Sequence, residues 1–241
     1  VSTTTCGLRM DETLAERIVE SGMDIVAFSL TGTDEKSNAA RAGVPFSRVE
    51  EAVRMLQKVR QAKQAVHLDV HLAYLMLASN VDAVRELPRL MDEWGVHAVV
   101  ISTMDYIPSP EMAAEAFAPH EREKIEAARA VLEETGARVR AAGHDFYASL
   151  PAAEPAPCCR ERAHRTMYID ADGQISPCVY LNVPIREEVP GRTVFGSVAG
   201  EDPMAVWEGK AYVGFRAAVQ TADPPDACRC CAKRFEAPCA G

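Results

Sequence analysis

The first 150 residues alternate short β-rich runs with helical patterns, and this alternation constrains the fold more than any other feature. It is typical of a parallel sheet whose strands are joined by helical crossovers. Helical periodicity is clearest at 48–62, where apolar residues recur on one face. We expect Pro88 in the first turn of a later helix and Gly136 at the end of another. The sequence therefore predicts an α/β protein over residues 1–150.

The composition changes at residues 151–157, where the sequence PAAEPAP favours an extended chain and marks a linker. Beyond it, two β-rich runs flank Asp172-Gly173, a pair that is typical of a hairpin turn. We therefore expect one domain over 1–150 and a second, smaller domain over 158–241 that contains a β-hairpin.

The second domain holds a cysteine pattern with metal-ligand spacing. The pattern is C-x13-G-x4-C … C-x2-C, with Gly173 as its glycine, and its cysteines are Cys159, Cys178, Cys228 and Cys231. A C-x2-C pair lets two thiolates from one tight turn face the same centre, and a hairpin can bring in the other pair. Four thiolates suit an iron-sulfur cluster or a zinc ion, and the spacing alone leaves both open.

Charge and cysteine usage exclude several classes of function. The formal net charge of −9 argues against binding nucleic acid through phosphate neutralisation. There is neither a run of about 18 apolar residues nor a basic-apolar leader, so the sequence predicts no membrane span and no secretory signal. Most of the 8 cysteines are crowded between Cys158 and Cys239, which favours metal binding in a reducing compartment over disulfides. We therefore expect a cytoplasmic protein without nucleic-acid or membrane partners.

Several segments resemble radical S-adenosylmethionine (radical SAM) enzymes that carry a C-terminal SPASM or twitch auxiliary-cluster domain. In the second domain the likeness rests on MYIDADGQISPC, VFGSVAGEDPMAVWEGKAYVGFR and DACRCC. In the first domain it rests on TTTCG at 3–7, AFSLTGT at 27–33, Arg41-Ala42-Gly43 and Asn80. The resemblance covers nearly the whole chain. It implies a partial (β/α) TIM-like barrel, the C-terminal portion of the radical SAM type, followed by a small cysteine-rich SPASM/twitch domain.

The resemblance also implies an activity for an intact protein. Reductive cleavage of S-adenosylmethionine in this family needs a C-x3-C-x2-C loop, which does not occur in this sequence. The chain begins with Val1 about where the third family strand would start, so we expect an N-terminally truncated fragment that is inactive alone. The intact enzyme is expected to cleave S-adenosylmethionine and to modify a peptide or cofactor precursor by radical chemistry.

The resemblance further implies cofactors and partners. An auxiliary 4Fe–4S cluster is expected in this chain, with S-adenosylmethionine and a second 4Fe–4S cluster in the intact protein. The expected partners are a peptide or small-molecule substrate and an electron donor such as ferredoxin or flavodoxin.

Candidate site residues follow from the matched positions. Ser29, Arg41 and Asn80 are expected to contact the cofactor, whereas Thr31 stands where the family often has Asp. The expected ligands of the auxiliary cluster are Cys159, Cys178, Cys228 and Cys231, with Cys158 as the rival of Cys159 and Cys239 as a further candidate.

Two alternatives from other classes stay open at the level of sequence. One is a zinc-stabilised, noncatalytic binding module that uses the same four cysteines. The other is a metal-dependent barrel hydrolase that uses His67, Asp69 and His71. Alternation of polar and apolar residues predicts a strand at 65–72, which would put these three side chains on one face.

Overall fold

The computed structural model describes residues 1–40, 43–107, 110–152, 154–155, 159–183, 192–229 and 231–235. The chain divides into two compact units, and each unit is built from three separate segments of the sequence. The sheet unit comprises 1–104, 113–117 and 123–150, and the cysteine unit comprises 105–112, 118–122 and 151–241.

A five-stranded parallel sheet forms the centre of the sheet unit, and its spatial order follows the sequence order. The strands are β1 (Ser2–Thr5), β2 (Ile25–Leu30), β3 (Asp69–Leu75), β4 (Ala98–Ser102) and β5 (Asp145–Ala148). The helices are α1 (Glu12–Glu20), α2 (Phe46–Ala62), α3 (Leu87–Trp94) and α4 (Arg122–Ala141). Sequential parallel order is the arrangement of a singly wound (β/α) barrel, and it confirms the α/β class.

Local signals set most helix boundaries. The Asp11 carboxylate accepts a hydrogen bond from the Leu14 N–H at 2.7 Å and caps α1. Pro88 lies in the first turn of α3, as predicted. A backbone N–H at this position would have no intrahelical acceptor, so proline costs the helix no hydrogen bond there. The predicted helix end at Gly136 is wrong, because α4 continues to Ala141. A Cβ at Gly136 would lie 2.8 Å from the Phe146 ring, so this glycine makes room for packing against β5.

The two faces of the sheet differ in burial. One face packs against the helices through side chains such as Phe28, Leu30 and Leu72, all with no exposed surface. The opposite face is partly exposed, with Val100 at 45% and Tyr147 at 55%. The sheet therefore has one covered face and one open face.

Strand β3 lies further along the chain than predicted. It covers Asp69–Leu75 instead of 65–72, and Val66 is 87% exposed. Residues 61–68 finish α2 and turn back toward the sheet, since the Ala65 and Leu68 backbones bond within that turn. Apolar alternation continued across the turn, which is why the sequence pattern misplaced the strand.

The cysteine unit contains a small antiparallel sheet of β6 (Tyr168–Ile169), β7 (Gln174–Ser176) and β8 (Gly196–Ser197). The predicted turn at Asp172-Gly173 joins β6 to β7, and Gly173 has φ +76°. A Cβ there would also lie 2.9 Å from Val198, so both the positive φ and the lack of space for a side chain favour glycine at this position. In the described part of this unit, three short α-helices follow the sheet: α5 (Pro203–Glu208), α6 (Lys210–Ala218) and α7 (Asp226–Arg229).

An aromatic cluster holds the hairpin against α5 and α6. Tyr212 has no exposed surface, stacks on Phe195 with ring centroids 4.4 Å apart, and meets Trp207 edge-on at 5.0 Å. Its hydroxyl lies 3.1 Å from the carbonyl oxygens of both Thr166 and Ser176. The phenol therefore ties the beginning and the end of the hairpin together.

None of the helices in the described part of the chain is both long enough and apolar enough to cross a bilayer.

Candidate metal centre

The four predicted ligands all lie in the cysteine unit, on three separate segments. Cys159 precedes a turn, Cys178 follows β7, and Cys228 lies in α7 shortly before Cys231. The Arg160 N–H donates to the Lys233 carbonyl at 3.0 Å, so the segment after the first cysteine runs beside the segment after the last. This backbone contact brings together two cysteines that are far apart in sequence.

The four thiols are close enough to influence one another electrostatically. Burial is the main cause that raises the pKa of Cys228 to about 12, with smaller contributions from negative charge on Cys231, Cys178 and Cys159. Burial also raises the pKa of Cys178 to about 11, with smaller effects of Cys231 and Cys159. Burial is also the largest cause of the raised pKa values of Cys159 and Cys231. The thiols are therefore protonated at neutral pH unless a cation replaces their protons.

Backbone N–H groups point at three of the sulfurs. Glu161 and Ala163 donate to Cys159, and Tyr180 and Leu181 donate to Cys178. The Lys233 N–H donates to Cys231. Each of these bonds favours the thiolate over the thiol, and hydrogen bonds to ligating sulfurs are one means by which proteins tune iron-sulfur clusters. The donor set therefore fits a thiolate-bound cationic group.

No disulfide joins the described cysteines, which include Cys6 as well as the four predicted ligands. Within the same described residues, no three His, Cys, Asp or Glu side chains are placed to hold one metal ion. That finding concerns a single ion, whereas the thiolates of a 4Fe–4S cluster bind different irons and need not converge on one point.

The raised pKa values predict slow alkylation of the metal-free protein. Below pH 9 the raised pKa values should make the thiolate fractions of Cys178 and Cys228 about 100-fold and about 1000-fold lower than in the unfolded chain. Because only the thiolate reacts, the labelling rates should fall by the same factors. Iodoacetamide labelling read by mass spectrometry, with and without urea, measures both rates. In the folded protein they should keep rising above pH 9, whereas rates in urea should level off.

The sign of the accompanying stability change follows from the same shift. The folded metal-free protein holds these protons more tightly than the unfolded chain, so its stability is greatest below pH 9 and falls as pH rises toward 12. Steric protection alone would lower the labelling rates without moving the pH at which they level off. A plateau near pH 9 in the folded protein would contradict the predicted shift.

Sequence reasoning missed the charged residues around the thiols. Lys233 and Arg234 are only 7% and 6% exposed. The Lys233 ammonium lies 2.9 Å from the Asp105 carboxylate, which also accepts a hydrogen bond from the Tyr180 hydroxyl at 3.1 Å. Two basic residues one position after a C-x2-C turn were the available signal, because a shell of thiolates is negatively charged.

Some predicted residues lie outside the described residues. They are Arg41 among the cofactor-contacting candidates, and Cys158 and Cys239 among the cysteines. Their roles stay predictions.

Ser29 and Asn80 lie near the carboxyl ends of β2 and β3. Ser29 is half-buried and pairs in register with Ala73 on the open face of the sheet. Asn80 is 4% exposed; its amide accepts from the Leu77 N–H at 2.8 Å and donates to the Thr31 carbonyl. The side chain thus joins the segments that follow the two strands. A contact between either residue and a cofactor stays a prediction.

The structure does not form the predicted His67, Asp69 and His71 face. His67 is exposed and lies in the turn before β3, so only Asp69 and His71 share the strand. The Asp69 carboxylate lies 3.5 Å from His97 Nε2, and burial lowers the pKa of His71. Both strand residues are at the amino end of β3, whereas barrel enzymes place their chemistry at the carboxyl ends. The geometry therefore gives the hydrolase alternative no support.

Comparison with known proteins shows which domain and which folds the chain resembles. Residues 158–232 match the SPASM family model, which describes an iron-sulfur cluster-binding domain. The fold of the chain matches two solved structures along most of its length. Native anSMEcpe with bound AdoMet gives a TM-score of 0.54 at 14% identity, covering 96% of this chain and 64% of that chain. SuiB of Streptococcus suis bound to S-adenosylmethionine gives 0.58 at 17%, covering 90% and 50%.

A relative in sequence extends the match to the whole chain. The PqqA peptide cyclase of Granulibacter bethesdensis is 25% identical over 240 residues, which are 95% of this chain and 58% of the relative. The present chain thus spans less than two thirds of the length of that curated relative. The resemblance predicted from the motifs is confirmed: the chain has the fold of radical SAM enzymes that carry a SPASM domain.

Proposed function

We propose that this protein is part of a radical SAM enzyme that modifies a peptide, and that its cysteine unit binds one auxiliary 4Fe–4S cluster. The ligands are Cys159, Cys178, Cys228 and Cys231. The observation that carries the proposal is the packing of Cys178 and Cys228 in one cluster, together with the backbone contact that joins the segments after Cys159 and Cys231. The match of residues 158–232 to an iron-sulfur cluster-binding family supports the cluster over zinc.

The chain's own residues would hold the cluster in a low-dielectric setting. Leu181, Val219 and Phe215 pack around Cys178 and Cys228 and exclude water from their sulfurs. Backbone N–H groups from the turns after the cysteines stabilise the thiolates. When bound, the cluster supplies a centre that accepts or donates one electron.

The substrate class comes from the named relatives. One relative is a PqqA peptide cyclase, and solved structures with the same fold include SuiB with the precursor peptide SuiA and anSMEcpe with a Cp18Cys peptide. A peptide substrate fits the open, partly exposed face of the sheet, which presents small side chains such as Ala27 and Ala73 beside Ser29. For the whole enzyme we propose reductive cleavage of S-adenosylmethionine followed by radical modification of that peptide.

Anaerobic reconstitution with iron and sulfide tests the cluster. The chain should take up about four irons and four acid-labile sulfides and become brown. Cys178→Ala should lose iron and sulfide together, because one iron of the cluster loses its thiolate. Iron, sulfide and zinc analyses of the purified protein give the readout.

Cys6→Ala is the matched control, because Cys6 lies in the sheet unit and outside the proposed ligand set. It should retain wild-type iron and sulfide. Uptake of about one zinc per chain without any sulfide would instead favour a structural zinc site and overturn the proposal.

A further inference from the structure

Two buried cations accompany the four thiols, and their surroundings differ. Lys233 and Arg234 follow Cys231 in sequence after one intervening residue, and the Arg234 N–H donates to the Cys231 carbonyl at 2.9 Å. Both side chains are more than nine-tenths buried. A buried charge is costly unless an opposite charge or several hydrogen bonds compensate it. Each cation therefore requires a compensating group nearby.

Lys233 has a carboxylate beside it. Its ammonium lies 2.9 Å from Asp105 and 5.5 Å from the centre of the Tyr180 ring. The Asp105 charge offsets that of Lys233 at short range, and Tyr180 holds the carboxylate in place through its hydroxyl.

Arg234 has a different environment. Its Nη1 donates to the Val219 carbonyl at 3.5 Å, which is a neutral acceptor. Among the described residues, no carboxylate lies within ion-pair distance of its guanidinium. Val219 packs in one cluster with Cys228 and Cys178, so this hydrogen bond places the guanidinium beside the segments that carry two of the thiols. In the described part of the chain, the thiolate shell is therefore a negative group that can compensate this guanidinium, once its protons have left.

We infer that Arg234 is the buried counter-charge of the Cys159, Cys178, Cys228 and Cys231 cluster and holds its reduction potential up. This inference rests on the proposed function. Reduction takes one electron from an external one-electron donor and adds one negative charge to the cluster and its thiolates, and no bond forms or breaks. A fixed positive charge in a low-dielectric site stabilises the more negative state more strongly. Arg234 thereby favours the reduced cluster without being a ligand.

The test is a redox titration of the reconstituted protein and its Arg234→Gln variant. Mediated titration, followed by the electron paramagnetic resonance signal of the reduced cluster, gives the potential. At a fixed solution potential, the ratio of reduced to oxidised cluster should fall about tenfold in the variant, which corresponds to a shift of about 59 mV to lower potential. Iron and sulfide content should be measured on the same samples.

Arg229→Gln is the matched control. Arg229 also carries one positive charge and lies directly beside Cys228 in sequence, but its side chain is 54% exposed and pairs with Asp223 and Asp226. Solvent screens its charge, so this variant should change the ratio less than about twofold. An equal shift in both variants would mean that total charge matters and would overturn the role of Arg234.

Arg234→Lys keeps the test decisive if the glutamine variant does not assemble a cluster. A lysine retains the charge, so the ratio of reduced to oxidised cluster should stay within about twofold of the wild-type ratio. A fall in this ratio as large as that expected for glutamine overturns the inference. A glutamine variant with a full cluster and an unchanged potential overturns it as well. Failure of the wild-type chain to take up sulfide is a separate result, which contradicts the proposed cluster instead.

Discussion

Tyr212→Ala is expected to lower the free energy of unfolding of the cysteine unit by about 3–5 kcal/mol, the usual cost of removing a fully buried aromatic ring. Tyr212 has no exposed surface and packs between Phe195 and Trp207. The loss should be local. Urea denaturation, combined with amide hydrogen exchange of the hairpin strands β6 and β7, measures it.

Tyr212→Phe separates the ring from the hydroxyl. The phenylalanine keeps the packing but leaves the carbonyls of Thr166 and Ser176 without their shared donor, so we expect a cost of about 1–3 kcal/mol. Because Cys178 lies two residues after the end of the hairpin, both variants should also release iron faster than the wild type. Equal stabilities of the wild-type and alanine proteins would show that the aromatic cluster does not hold the hairpin.

Asn80→Ala is expected to lower the free energy of unfolding of the sheet unit by about 2–5 kcal/mol, since it leaves two buried backbone groups without partners. These groups are the Leu77 N–H and the Thr31 carbonyl. The effect should appear without any cofactor present. Thermal and urea denaturation of the purified chain measure it directly.

Ser29→Ala is the control for this experiment. Ser29 is the other described residue that we predict to contact the cofactor, but it lies half-buried on the open face, so its loss should change the unfolding free energy by less than about 0.5 kcal/mol. If Asn80→Ala were as stable as Ser29→Ala, the Asn80 amide would not be holding the two segments together.

Features specified by neighbouring residues were the predictable ones. Asp11 caps α1, Pro88 begins α3, and Asp172-Gly173 turns the hairpin, as the sequence predicts. Each outcome depends on backbone geometry and on hydrogen bonds within a few residues. The alternation of strands and helices likewise predicted the parallel sheet, because its period is a local property of the chain.

Features that depend on tertiary contacts were not predictable. Gly136 was expected to end a helix, but it lies inside α4 because the Phe146 ring occupies the space beside it. Arg234 is an ordinary basic residue in the sequence, and only folding buries it against Val219, which packs with Cys228. The cysteine ligand set predicted from the spacing stays a prediction, and the preference for an iron-sulfur cluster over zinc rests on the family match of residues 158–232.

The position of Asp105 has a consequence for dividing this protein into parts. Asp105 belongs to the cysteine unit, although residues 113–117 and 123–150 of the sheet unit lie between it and the cysteine-bearing segment that begins at residue 151. A polypeptide beginning at residue 151 would contain all four proposed ligands but would lack the carboxylate that faces Lys233 and the acceptor of the Tyr180 hydroxyl. Removing one partner of a buried ion pair costs about 3–5 kcal/mol, and partial exposure of Asp105 reduces that figure. Grafting the cysteine-bearing segment onto another protein therefore calls for transplanting residues 105–112 as well.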